Sequence, residues 1–349
     1  MSPVPDYPGV YVEEYRSGAR PIEGVATSTA GFVGLGAGGP VRRVQSFSEF
    51  ERNFDASSAL GDAVHLFFAN GGRHVWVAGD LDALDAVPEL ALLALPAETD
   101  PDVLSDALAY AEKRGAFLLV DAPENNADGA VALVEKLRPR RSARGAVYFP
   151  WLVAGPKRRS CAPSGAVAAV YARNDAAHGV WSSPAGADAA IAGVVEAAVA
   201  LGDREAAKLN DAHVNTIRAF PGRGILVWGS RTIAAGSSEW KYVSVRRLAI
   251  FLEHSIDRGL EWAVFEPNDE GLWSQLRLNV QSYMHGLFRQ GAFQGTRPSD
   301  AYLVKCDSQT TTQDDIDRGI VNILVGFAPL KPAEFVIIRI QQLAGEAPV

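Results

Sequence analysis

Asp121 closes the apolar run Ala116-Phe117-Leu118-Leu119-Val120. An acid at the carboxyl end of a buried parallel strand is where an α/β enzyme places a catalytic group. Ser164, in Pro163-Ser164-Gly165, offers a hydroxyl. A nucleophile also needs a base within hydrogen-bond reach. The six histidines, His65, His74, His178, His213, His254 and His285, include no pair at i, i+4, and none stands beside a Cys-x-x-Cys. That spacing predicts no zinc site, and no G-x-S-x-G elbow is present. Asp121 then reads equally as a cap for the turn after its strand, and the histidines as surface or satisfied core residues.

Gly34-Leu35-Gly36-Ala37-Gly38-Gly39 matches a dinucleotide fingerprint only if a helix starts there to hold the phosphates. Pro40-Val41-Arg42-Arg43-Val44 follows instead and reads as extended. A plain glycine turn fits better, no P-loop occurs, and no cofactor is expected. The last cluster is acidic. Asp314, Asp315 and Asp317, with Arg318, fall in the first turns of a helix starting after Thr312. Carboxylates there complement the helix dipole; they could also present an acidic edge to a partner.

The elements that would carry these residues alternate. Within 90–150 the pattern is β-α-β-α-β, with continuous apolar strands of the kind covered on both faces. Further strands are expected at 30–35, 75–78, 225–228, 262–265 and 302–306. Helices are expected at 48–54 (capped by Ser48), 60–70, 246–258, from Asn268 along the stripe Leu272, Leu276, Val280, Met284, Leu287 and Phe288, and from Thr312 through Phe327. Residues 155–190 read as loop-rich. The expected class is mixed α/β: a central layered domain with parallel strands, plus a second α/β domain built from N- and C-terminal parts.

The net charge of -8 argues against nucleic-acid binding, which would call for a basic face. Two cysteines, Cys161 and Cys306, make no disulfide framework. No apolar run reaches the ~18 residues of a membrane span, and the first residues carry no leader signature; neither membrane insertion nor a cleaved leader is expected.

Both ends read as lone strands. Near the start, Gly9-Val10-Tyr11-Val12-Glu13-Glu14 follows a lead stiffened by Pro3, Pro5 and Pro8. Near the finish, Phe335-Val336-Ile337-Ile338-Arg339-Ile340 alternates, with Val336, Ile338 and Ile340 on one face. Seven residues follow Gln342, too few for a return strand. Unpaired strands seek sheet edges, their own or a neighbour's. The exchange residues expected are Val10, Tyr11, Val12 and Glu13 at one end and Phe335, Val336, Ile337, Ile338, Arg339 and Ile340 at the other.

A set of short stretches, in order along nearly the whole chain, resembles the sheath protein of contractile tails and injection particles. They are Pro8-Gly9-Val10-Tyr11-Val12-Glu13-Glu14, Thr29-Ala30-Gly31-Phe32-Val33-Gly34, Ser46-Phe47-Ser48-Glu49-Phe50-Glu51-Arg52-Asn53-Phe54 and Phe67-Phe68-Ala69-Asn70-Gly71-Gly72. Tyr148-Phe149-Pro150-Trp151, Pro163-Ser164-Gly165, Ala172-Arg173-Asn174-Asp175 and Gly179-Val180-Trp181-Ser182-Ser183-Pro184-Ala185-Gly186 come next. Leu209-Asn210, Ile217-Arg218, Trp228-Gly229-Ser230-Arg231-Thr232, Trp240-Lys241-Tyr242-Val243-Ser244-Val245-Arg246-Arg247 and Phe265-Glu266-Pro267-Asn268 complete the set.

The resemblance implies a structural subunit, not an enzyme. The family's middle region has a subtilisin-like fold, but here no His-Gly-Thr or Gly-Thr-Ser occurs, so proteolysis is not carried over. It implies a division into an N-terminal strand arm (1–24), an N-terminal core part (25–89), a non-catalytic central domain (90–205), a C-terminal domain (206–333) and a C-terminal strand arm (334–349). Segments 17–24 and 329–333 are the expected hinges. The expected partners are further copies in stacked six-fold rings, an inner tube met by Asp314, Asp315, Asp317 and Arg318, a baseplate, and terminator or cap proteins. Assembly is expected in the cytoplasm, into a phage tail or a tail-like particle that is kept or released. An α/β hydrolase-like enzyme and a static tail or capsid component are the alternatives.

Overall fold

The computed structural model describes residues 20–34, 40–138, 143–234 and 239–334. The terminal strands expected at 10–13 and 335–340 lie outside the described residues.

The strands run β1 (Ala30–Val33), β2 (Arg42–Val44), β3 (Val75–Ala78), β4 (Leu92–Ala94), β5 (Phe117–Asp121), β6 (Gly145–Phe149), β7 (Leu152–Ala154), β8 (Arg159–Cys161), β9 (Ala190–Ile191), β10 (Val194–Ala197), β11 (Val214–Phe220), β12 (Gly224–Trp228), β13 (Tyr302–Lys305) and β14 (Leu324–Phe327). The helices are α1 (Phe47–Glu51), α2 (Ala59–Ala69), α3 (Pro101–Arg114), α4 (Ala127–Leu137), α5 (Ser164–His178), α6 (Asp203–Asp211), α7 (Val243–Leu260), α8 (Glu270–Arg289), α9 (Pro298–Ala301) and α10 (Gln313–Asp317).

One nine-stranded sheet, in the order β2-β3-β1-β4-β5-β6-β11-β12-β9, forms the centre. Its middle, from β3 to β11, is parallel; β2, β12 and β9 are antiparallel additions at the edges. Phe117, Leu118, Leu119 and Val120 on β5 are all buried because helices cover both faces. Leu104 and Leu108 of α3 and Leu133 and Val134 of α4 pack on one face. Val64 and Phe67 of α2 and Val167 and Tyr171 of α5 pack on the other. The sheet draws strands from 25–89, 90–205 and 206–333 alike.

A second body joins α7, α8, β13 and β14 around Leu248, Leu252, Val280, Met284, Leu287, Phe293 and Val304. Truncating any of these buried leucines to alanine costs about 2–5 kcal/mol. Ile22, from the N-terminal lead, belongs to the same cluster. The small third sheet orders as β10-β7-β8.

Five expectations are corrected. Residues 155–190 are not mostly loop: α5 fills Ser164–His178 and is buried over its first eight residues. Its Ala- and Gly-rich composition is read for close approach rather than amphipathicity. A Cβ on Gly165 would stand 2.1 Å from the Ala63 carbonyl oxygen on α2, so only glycine lets these helices touch. Residues 262–265 are no strand. Glu261–Ala263 is a single 3-10 turn, and Phe265 stands fully exposed with φ 72°.

The helix after Thr312 stops at Asp317. Gly319 takes φ 71°, Ile320 N donates back to Asp315 O at 2.8 Å, and the apolar residues beyond form β14 against β13. A short apolar run satisfies either period, and the left-handed glycine decides. Two caps also sit elsewhere. Ser46 caps α1 and Asp269 caps α8, leaving Asn268 to donate to Ile320 O and accept from Trp273 Nε1. Beyond Gly34, the expected extended run is borne out as β2.

Candidate functional site

Asp121 and Ser164, the two residues with the most enzyme-like placement, do meet. Asp121 is fully buried. It accepts from Ser164 N and Ser164 Oγ, both at 2.7 Å, and from Ala97 N at 3.0 Å. Burial raises its pKa to about 6, against the pull of those three donors. No histidine is among the hydrogen-bond partners of either residue in the described chain. The carboxylate ties the first turn of α5 and the backbone at Ala97 to the end of β5, distant partners in place of the turn after its own strand.

Two of the histidines, His213 and His254, have surroundings that shift their titration. His213 is buried with Nδ1 2.8 Å from Thr232 O, and burial lowers its pKa. Burial likewise lowers His254. No group of three or more His, Cys, Asp or Glu able to hold a metal occurs among the described residues. Burial pushes the Cys161 thiol up to about 11.

The acidic turn splits into different jobs. Asp315 closes a capping box with Thr312; that hydrogen bonding holds its carboxyl below the usual range. Asp317 accepts from Gln313 Nε2 at 2.9 Å. Asp314 and Arg318 form an i, i+4 pair at 3.4 Å, 79% and 63% exposed. Asp314, Asp317 and Arg318 thus stand on the surface, while Asp315 is occupied within its own turn.

The strongest candidate for contact with other molecules is the two-stranded sheet β13–β14. Val304, Val325 and Phe327 turn inward against α8 and Phe293. By alternation Leu303, Lys305, Leu324 and Gly326 share the outer face. Leu303 and Leu324 are 48% and 52% exposed. Packing on α8 stabilises the pair of strands, and each strand keeps one side unpaired among the described residues.

Both ends of the described chain are seated against the body. On the N-terminal side, Arg20 lies 4.7 Å over the Trp262 ring, Ile22 is buried, and Val25 N donates to Ser255 Oγ of α7 at 3.1 Å. Arg258 pairs with Glu89, whose other oxygen accepts from Ala26 N at 3.0 Å. On the C-terminal side, Glu334 meets Arg231 at 2.6 and 2.8 Å. Those bonds hold the Glu334 carboxyl below its usual range.

The reading of isolated residues missed this framework, although the quoted stretches contain it. Asn70 and Arg173, from two such stretches, meet where Arg173 Nη1 donates to Asn70 O at 3.1 Å. Asp175 and Arg247 form a buried pair, and Arg247 also donates to Thr27 O at 2.8 Å. Order of motifs carried the signal; residue type did not.

Residues 76–233 match the phage tail sheath protein central domain, and residues 236–342 match the phage tail sheath C-terminal domain. The structure is similar to the contracted sheath of PVC, an extracellular contractile injection system, with TM-score 0.82 at 30% identity over 98% of this chain and 99% of that one. It is similar to the contracted helical sheath of the anti-feeding prophage, with TM-score 0.79 at 32% identity over 97% and 100%. A chain in the six-fold symmetrised anti-feeding prophage baseplate matches with TM-score 0.78 at 31% identity over 97% and 99%.

A putative prophage major tail sheath protein of Pseudomonas aeruginosa is 26% identical over 70% of this chain and 62% of its own length. The tail sheath protein of Vibrio phage KVP40 is 27% identical over 50% and 26%. The chain therefore spans about a quarter of one of these relatives and under two thirds of the other. This chain belongs to the phage tail sheath family, a family of structural subunits.

Proposed function

We propose that this sheath subunit polymerises as stacked six-fold rings around an inner tube, and that the polymer shortens and widens to drive the tube through a target envelope. The observation that carries this is the near end-to-end likeness, at 30% identity or above, to chains of two contractile particles. The match to a baseplate-bound chain supports a baseplate as neighbour; the tube and a terminator or cap protein complete the assembly. The subunit does no catalysis and needs no nucleotide, because the work is stored at assembly behind a kinetic barrier. Contraction exchanges one packing of the same bodies for another. Assembly takes place in the cytoplasm.

Strands at 10–13 and 335–340 are donated to other copies. β13–β14 is the acceptor: among the described residues each of its two strands is paired on one side, which leaves an edge for a donated strand. Main-chain hydrogen bonds to a donated strand keep neighbours joined while the bodies turn. Outward contacts of Asp314, Asp317 and Arg318 with the tube are weak enough to release, each about 1 kcal/mol or less.

Negative-stain imaging of the full chain, alone and with its tube protein, tests the reading. Sheaths of two distinct widths are expected. Deleting residues 335–349 is expected to leave monomers or short oligomers; normal-length sheaths from that deletion would falsify strand donation.

A further inference from the structure

The segment leading from the body to the C-terminal arm is tethered at two points. Pro329 forms an antiparallel bridge with Phe293, next to the bond from Gln294 N to Ala328 O at 2.8 Å. Five residues on, Glu334 enters a cationic recess. Arg231 Nε donates to one carboxylate oxygen at 2.6 Å and Nη2 to the other at 2.8 Å. Lys241 Nζ lies at 3.4 Å and the Tyr242 hydroxyl at 3.3 Å.

The recess is built rather than incidental. The Arg231 side chain is 7% exposed, its Nη1 is committed to Asn210 O at 2.6 Å, and Asn215 Oδ1 holds its backbone N–H at 2.7 Å. Asp211, its remaining carboxylate neighbour, is 3.8 Å away and 83% exposed. Between the tethers, Leu330 and Lys331 line a hollow with Trp181 and Ser244, and Ala333 lines one with Trp228 and Tyr242.

We infer that Glu334, locked on Arg231, is the anchor that sets where the C-terminal arm leaves the body, so that the arm pivots beyond Glu334 and not within 329–333. The inference rests on the strand donation proposed above. Its physical content is reach. Releasing the anchor frees the chain back to Pro329 and adds five residues, roughly 17 Å of extended length. A longer, looser tether lowers the effective concentration of the arm at the correct neighbour and lets it reach wrong ones. Glu334 is a positioning residue, acting through the arm and not by touching the acceptor.

The test uses the full chain with E334Q, and E334D as the variant that keeps the charge. Three measurements are made: sheath length and order by electron microscopy, subunit melting temperature, and the backbone order parameters of Lys331, Ala333 and Glu334 by NMR relaxation in the unassembled subunit. E334Q is expected to lower those order parameters from about 0.85 to below about 0.6 and to give short or disordered sheaths with the melting temperature nearly unchanged. E334D is expected to fall between E334Q and the unaltered chain. Unaltered order parameters with normal sheaths from E334Q overturn the inference. So does a large fall in melting temperature that accounts for the lost assembly, since that assigns Glu334 to stability alone. The 335–349 deletion separates the two claims. If it abolishes sheaths while E334Q assembles normally, the anchor is wrong and strand donation stands.

Discussion

The guanidinium of Arg247 on α7 grips both carboxylate oxygens of Asp175 on α5, at 2.7 and 2.8 Å, with the two side chains 3% and 4% exposed. The pair joins the region matching the central domain to the region matching the C-terminal domain. Arg247 also lies 4.8 Å over the Tyr171 ring and bonds Thr27 O in the N-terminal lead. Three parts of the subunit are thereby held by one buried cation.

Removing one partner strands the other. Arg247→Met leaves Asp175 buried and unpaired, and the cost expected is about 3–5 kcal/mol. Arg247→Met combined with Asp175→Leu should cost less than Arg247→Met alone, because no charge is left uncompensated. Urea denaturation of the unassembled subunit, run as a double-mutant cycle, measures the difference.

The Asp121 clip has a pH signature. Its folded pKa is raised to about 6 from the ordinary 3.8, so the folded state favours the protonated form. The resulting stability is fully present below pH 3.8 and is lost as pH rises through about 6. Asp121→Asn should flatten that part of the urea-midpoint profile between pH 4 and 7. It should also cost about 1–3 kcal/mol at neutral pH, since Ser164 N bonds one carboxylate oxygen and Ala97 N the other, and an amide N–H2 in place of either oxygen leaves one of those buried donors without an acceptor.

On β13–β14, Leu303 and Leu324 are half exposed in the subunit. Replacing both with glutamate, which sets Leu324→Glu opposite Lys305, should leave subunit stability within about 0.5 kcal/mol. Sheath formation should nonetheless fail, because the face offered to donated strands and neighbouring copies is charged. Thermal melting and electron microscopy of the same preparation read the two effects separately; unaltered sheaths would remove this sheet from the assembly.

The acidic turn should divide by position. Asp315→Ala breaks the capping box with Thr312 and should cost about 1 kcal/mol of subunit stability. Asp314→Lys with Asp317→Lys leaves that cap intact and should impair co-assembly with the tube. Tube-filled sheaths at the unaltered yield would show that these two carboxylates make no such contact.

Periodicity and local chemistry were enough for the parallel β-α-β-α-β run at 90–150, for the α8 stripe from Leu272 to Leu287, and for discounting a helix after Gly34. Those features depend on near neighbours: alternating burial, caps, and glycine or proline stops act within a few residues of one another. The order of short stretches also marks the family. Local pattern failed where the deciding contact was distant. The small residues of α5 mean nothing until α2 lies against Gly165. The run Ile320–Phe327 fits a helix or a strand until Gly319 turns left-handed and β13 supplies a partner. Whether Asp121 faced a base or a helix, and that Glu334 would find Arg231 103 residues back, were decided only by tertiary packing. Burial puts the price of an unpaired charge on pairs that sequence spacing leaves unspecified.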